Sequence, residues 1–312
     1  MKSRSWLIAP GNNEALLGSS IGTGADIVVV DLEDTVPVME KARARTLAAD
    51  WLDAHRHRVL EQRQQGRWVR LNALDSGHSR DDLAAIMPHA PDGLILPKAQ
   101  GPESVRQLAS EVYELEQKYG IPANSTRIVP VVGETPRAAL RIADYFDTAH
   151  QRVCGLTWNA ATLCASLGAV NDRSRAGEWP DAARFVRAQA LLCAHAVDVV
   201  AIDAAYDDFE DEEGTRCAAQ KARAEGFAGM FALHPAQVQT INAAFTPTSE
   251  ELAKAREVVH AFEASPHVGA LPLGGRMVDR SDLSLARRTI SMFERESRGN
   301  DDSRRQPILR PA

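Results

Sequence analysis

Eight short runs of apolar residues recur along the chain, and each closes on polar, glycine or proline positions. They are SWLIAP at 5–10, DIVVVDL at 26–32, RWVRLN at 67–72, GLILPK at 93–98, RIVPVVGE at 127–134, VCGLTW at 153–158, DVVAID at 198–203 and GMFALHP at 229–235. Continuous Val, Ile and Leu, rather than strict alternation, predict strands buried on both faces, as in a parallel sheet wrapped by helices. The stretches between them agree. PESVRQLASEVYELEQKYG at 102–120 has a Pro-Glu start, an amphipathic middle and a closing glycine. Eight such units predict an α/β chain closing into a single (β/α)8 TIM barrel. An open doubly wound sheet is the alternative, and the lack of GxGxxG after the first strand counts against a nucleotide-binding sheet.

Past the eighth run the pattern turns helical. PAQVQTINAAF is followed by a TPTS turn, a long helix at 249–264, a glycine-rich loop ending in GGRMVDR and a helix at about 282–296. The expected organisation is a barrel over 1–245, a C-terminal helical extension over 246–296, and a polar, mobile tail over 297–312. No internal repeat and no interdomain linker stand out.

Composition narrows the functional classes. A formal charge of -6 offers no global attraction to phosphate backbones or anionic membranes, so neither nucleic acid nor membrane is an expected partner. The apolar run near the N-terminus is too short for a signal sequence, and no stretch approaches a membrane span. The four cysteines, Cys154, Cys164, Cys193 and Cys217, show no CxxC pairing and read as reduced core thiols, in keeping with a cytoplasmic protein.

In parallel barrels the reactive side chains gather where strands end. Here those positions are charged: Asp31, Glu33 and Asp34 after strand two, Arg70 and Asn72 at strand three, Lys98 after four, Glu134 after five, Asp203 at seven and His234 after eight. Alternation places Asp31 and Glu33 on one side, with Asp34 in the loop above. Carboxylates crowded on one rim repel unless a cation lies among them, and hard oxygen donors suit Mg²⁺. Each residue also has a plainer reading. A strand-end acid can cap the next helix or pair with a base, His234 can orient its loop through a hydrogen bond, and Lys98 can form an ion pair rather than a Schiff base.

Several segments together carry a family resemblance. RSWLIAPGN (4–12), ADIVVVDLEDTV (25–36) with Lys41 and Arg45 following, WVRLNALD (68–75), DGLILPKA (92–99), ETPRAAL (134–140), AIDAAYDDFEDEEG (201–214), ALHPAQVQTINAAFTPTSEE (232–251) and GRMVDR (275–280) occur in register from about residue 4 to 290. In this the chain resembles the citrate lyase beta-like branch of the aldolase and citrate lyase superfamily. The resemblance implies a magnesium-assisted lyase that cleaves a 3-hydroxyacyl thioester, such as citramalyl-CoA, malyl-CoA or a citryl thioester. The products would be an acetyl thioester and an oxo acid: pyruvate, glyoxylate or oxaloacetate.

By the same resemblance, Arg70 binds substrate and stabilises the oxygen that gains charge, while Glu134 holds the metal. Glu33 and Asp34 hold the metal's waters. Asp279, contributed by a neighbouring subunit, handles the proton at carbon, which implies a homo-oligomer, a trimer. The chemistry is consistent with those roles: cleavage beside a thioester carbonyl builds an enolate, which a fixed cation and a divalent metal stabilise, and one carboxylate must move a proton.

One motif departs. After strand six the family pattern reads approximately FGAEDLAADLGA, whereas this chain has Trp158-Asn159-Ala160-Ala161-Thr162-Leu163-Cys164-Ala165-Ser166-Leu167-Gly168-Ala169. The Leu-x-x-x-Leu-Gly-Ala framework aligns without a gap, so Thr162 stands where the second metal-binding acid is expected. Three outcomes are open. The metal binds weakly through Glu134, Thr162 or Asn159 and waters, with a substrate carboxylate completing the shell; the metal is lost, leaving a non-catalytic thioester- or small-acid-binding barrel; or the substrate's own charges replace the ligand. A pyruvate aldolase without a thioester substrate fits less well, because the Asp279 motif belongs to the thioester branch.

Overall fold

The computed structural model describes residues 2–56, 65–147, 150–169 and 179–301. Eight parallel strands close into a barrel in chain order: β1 (Ser5–Pro10), β2 (Ile27–Asp31), β3 (Gly66–Arg70), β4 (Gly93–Leu96), β5 (Arg127–Val132), β6 (Gly155–Trp158), β7 (Val200–Asp203) and β8 (Gly229–Ala232). β1 pairs with β8 through Trp6 and Phe231, which completes the ring and excludes the open sheet. Helices follow the strands, among them Lys41–Arg56 after β2, Pro102–Tyr119 after β4 and Ala160–Leu167 after β6.

The barrel interior is a packed apolar layer, not a channel. Trp6, Ile27, Val29, Trp68, Ile95, Val129, Val131, Ile202 and Phe231 form one buried cluster. Trp6 and Trp68 meet edge to face at 5.0 Å. Trp68 fits only because Gly93 has no side chain, since a Cβ there would fall 2.4 Å from the indole. Above this floor the strands stop earlier than the apolar runs do. Pro97-Lys98 and Gly133-Glu134 therefore lie in the loops at the carboxyl ends of β4 and β5.

The opposite end of the barrel is held by a buried ion pair. Arg152 grips Glu116 through two bonds of 2.7 and 2.6 Å, and both residues are fully enclosed. Each Glu116 oxygen also accepts a backbone amide, from Thr126 and from Asn124, so the carboxylate is fully hydrogen-bonded. All four cysteines are free, as expected, but Cys217 is exposed on the helix Glu212–Glu225 and is not a core thiol.

The chain divides into two compact units, one over Ser3–Asn242 and a second beginning at Ala243. The second holds the helix Ser249–Ala264, whose Thr248 and Glu251 form a reciprocal capping box. It also holds a hairpin of β9 (Ala270–Leu273) and β10 (Arg276–Asp279), where the sequence pattern gave a loop. Gly274 and Gly275 both have positive φ, as a two-residue hairpin turn of the right twist requires. The last helix runs over Arg280–Asp301, past the expected end at 296. The remainder of the expected tail, 302–312, falls outside the described residues.

Candidate active site

The carboxyl end of β2 continues as Leu32-Glu33-Asp34, and the fold shapes this loop with buried bonds. Lys41 donates to the carbonyls of Leu32 and Glu33 at 2.8 Å each, and the Asn72 side-chain amide donates both to the Leu32 carbonyl and to the Asp82 carboxylate, which holds it in place. Asn72, a strand-end residue that could have faced substrate, thus serves as a strut. Asp31 accepts the amides of Glu33 and Thr35 together with the Thr35 hydroxyl.

Arg70, at the end of β3, lies level with Asp31 in the strand register and grips it with Nε at 2.6 Å and Nη2 at 2.7 Å. Burial alone would raise the Asp31 pKa, but the charge and hydrogen bonds of Arg70 hold it below the usual carboxylate range. The third nitrogen, Nη1, has no protein acceptor among the described residues, and the side chain keeps 14% exposure. One edge of a fixed cation is therefore left for a ligand.

Glu33 is 4% exposed and lies 3.5 Å from Arg70 Nε. Its Oε1 is 2.9 Å from the Lys98 ammonium, yet no hydrogen bond of acceptable angle reaches that oxygen. The contact is an ion pair, and that oxygen meets no other donor among the described residues. Burial, reinforced by the nearby charges of Asp34 and Glu134 and opposed by Arg70 and Lys98, pushes the Glu33 carboxyl up to about 7. Asp34 is largely exposed and meets the same ammonium at 3.1 Å.

Lys98 has φ 51°, in the left-handed region that non-glycine residues rarely adopt. That turn aims its amide at Glu134 Oε2 and its ammonium at Glu33 and Asp34. Burial would depress its pKa, but the two acids pull it above the ordinary lysine range, so it is a fixed cation and not a Schiff-base amine. Glu134 is 2% exposed and follows Gly133, whose φ of 74° only glycine adopts at little cost. Burial raises the Glu134 pKa; the Lys98 amide, the charges of Arg70 and Lys98, and a hydrogen bond from Thr162 oppose it. Asn159 caps the helix Ala160–Leu167, its side chain accepting the amides of Ala161 and Thr162. Thr162 thus lies in the first turn of that helix.

Three other strand-end candidates go elsewhere. Asp203 accepts from Arg187 at 2.7 Å and from Trp158 Nε1 at 2.7 Å, so its charge is consumed in a structural knot. No sequence spacing pointed to Arg187. His234 is exposed, stacks on Phe209 at 4.7 Å and accepts the Ala236 amide, which orients its loop. Asp279 ends β10 in the second unit, exposed, with Oδ1 accepting the amides of Ser281 and Asp282.

The donor set fits magnesium in kind, since Glu33, Asp34, Glu134 and Thr162 offer hard oxygens and Glu33 Oε1 lacks a hydrogen bond. It is short in number. Among the described residues no three Asp, Glu, His or Cys side chains converge as a ready-made metal site. Lys98 lies between Glu33 and Asp34, and Thr162 is a hydroxyl where an acid was expected.

A family model described as HpcH/HpaI aldolase/citrate lyase matches residues 4–235, the extent of the barrel and its charged rim. The chain belongs to this family. Among relatives, the citrate lyase subunit beta of Escherichia coli (strain K12) is 30% identical over 293 residues, 93% of each chain. A (3S)-malyl-CoA thioesterase of Cereibacter sphaeroides is 31% identical over 299 residues, 93% of this chain and 94% of the relative. Family structures superpose as well. The protein CitE from Mycobacterium tuberculosis, in complex with magnesium, acetoacetate and coenzyme A, has a TM-score of 0.75 at 29% identity, covering 94% of this chain and 98% of that one. The citrate lyase beta subunit from M. tuberculosis with oxaloacetate and magnesium has a TM-score of 0.65 at 30% identity, covering 79% of this chain and 98% of the other.

Proposed function

We propose that this rim cleaves a 3-hydroxyacyl-CoA, of the citramalyl-, malyl- or citryl-thioester class, into acetyl-CoA and an oxo acid by a retro-Claisen step. The observation that carries the reading is Arg70: pinned by Asp31 on two nitrogens, partly exposed, and open on the third. Breaking the carbon–carbon bond sends its electron pair towards the thioester carbonyl, and the hydroxyl becomes the ketone of the oxo acid while losing its proton. A guanidinium that cannot swing away stabilises charge on oxygen without reorganising during the reaction. Glu134, Thr162 and the waters of Glu33 and Asp34 would hold magnesium, which when bound supplies positive charge at the oxygens of the oxo acid. Asp279 of a neighbouring copy would protonate the acetyl carbon, making the working enzyme a homo-oligomer, a trimer in this reading.

Incubation with citramalyl-CoA, malyl-CoA and citryl-CoA, with and without magnesium, tests the proposal by the appearance of acetyl-CoA and oxo acid. Free CoA with an intact hydroxy acid would instead indicate hydrolysis, the activity named for the C. sphaeroides relative. Arg70→Ala should lower turnover at least tenfold, and unchanged turnover removes Arg70 from the mechanism. The Thr162 departure favours a second reading, a barrel that binds a thioester or small acid without cleaving it. Binding without any product from the three thioesters would establish that reading.

A further inference from the structure

The helix Asp181–Ala196, between β6 and β7, carries two apolar stripes where an outer barrel helix needs one. Ala183, Val186, Ala190, Cys193 and Ala194 are buried and supply the inner stripe. On the outer side Phe185, Ala188, Leu192 and Ala196 are all exposed, and their spacing at three, four and four residues sets them in one line. Phe185 is 52% exposed and Leu192 is 70% exposed. The short helix Asp144–Asp147, packed against this one, adds an exposed Phe146. The next outer helix, Glu212–Glu225, shows the usual face, exposing Glu213, Arg216, Gln220 and Lys221. Single exposed apolar residues are ordinary, but a line of them flanked by a second helix marks a contact surface.

We propose that this face joins two copies of the chain about a twofold axis, with the two Asp181–Ala196 helices antiparallel. The stripe is complementary to itself. Phe185 and Leu192 lie equally far from the point between Ala188 and Gln189, so an axis there sets each copy's Phe185 against the other copy's Leu192. Ala188, at the crossing, has only a methyl group, which lets the two backbones approach closely. The charges agree with this direction. Exposed Asp181 opens the helix and exposed His195 closes it, so the axis brings acid and base of opposite copies together. It also carries exposed Arg184 towards the other copy's helix C-terminus, where the carbonyl ends favour a cation. Parallel helices would set like ends side by side.

Analytical ultracentrifugation of the full chain tests this. A twofold contact requires an even number of copies, so a trimer built through Asp279 would sediment as a pair of trimers. Leu192→Asp and Phe185→Glu, each folded by circular dichroism, should halve the sedimenting mass. Cross-linking reads the register. With Cys217→Ser removing the exposed native thiol, a short bis-maleimide should join Ala188→Cys between copies and leave Gln220→Cys unjoined. A mixture of Phe185→Cys and Leu192→Cys proteins should link more readily than either alone. An odd number of copies, or an unchanged mass in both folded variants, overturns the proposal. So does Gln220→Cys linking as well as Ala188→Cys, or a mixture that links no better than its components. A chain that stays single with Ala188→Cys unlinked also overturns it and leaves the stripe to a different protein.

Discussion

Two arginine–carboxylate pairs lie at opposite ends of the barrel, and they are built to different ends. At the closed end, Arg152 and Glu116 are sealed from solvent and every Glu116 oxygen has two donors. At the open end, Arg70 binds Asp31 as tightly but keeps a free nitrogen, and its neighbour Glu33 keeps an oxygen without a hydrogen bond. A saturated pair can do nothing except fasten the helix that carries Glu116 to the turn that carries Arg152. An unsaturated one retains capacity for a ligand, and the difference separates a stabilising end from a reactive one in this fold.

The comparison can be broken from either side. The largest stability effect is expected at the closed end: Arg152→Met leaves Glu116 buried without its counter-charge and should cost about 3–5 kcal/mol in urea unfolding. Turnover per folded molecule should stay at the wild-type level, and a specific loss of turnover would erase the distinction. An intermediate effect belongs to Glu33, whose carboxyl is raised to about 7 from 4.5. The native state keeps this proton to higher pH than the unfolded chain, so stability of the metal-free protein should fall as pH rises through that window and level off above it. The drop is at most ~3 kcal/mol. Glu33→Gln should flatten it, and an unchanged profile would show that Glu33 is not the titrating group. The smallest effect is at Asp34, largely exposed beside Lys98. Asp34→Asn should shift the unfolding midpoint by no more than corresponds to ~0.5 kcal/mol, because solvent screens such pairs.

The barrel was legible because strands buried on both faces must be written as continuous apolar runs, and all eight runs coincide with strands. The polar residues closing those runs lie at the carboxyl ends of the strands, and the ungapped alignment after strand six marked Thr162 as the position where a second acid is expected. Other features leave little trace in sequence. Glu116 reads as one more polar position on an amphipathic helix, and only the fold brings Arg152 to it. Asp203 looks like a rim acid, and Arg187, sixteen residues before it, consumes its charge. Arg70 and Asp31 were each legible as strand-end charges, but only the fold brings Asp31 onto two of the Arg70 nitrogens. The Gly274-Gly275 turn was a readable hairpin signal, but the flanking ALPL and RMVD segments are short and weakly alternating.

The indole of Trp68 occupies the space that a side chain at position 93 would need. The two positions are therefore a single evolutionary decision recorded in two places. A lineage that gains alanine at 93 must first, or at once, accept a slimmer residue at 68, and relatives should change this pair in tandem or leave it alone.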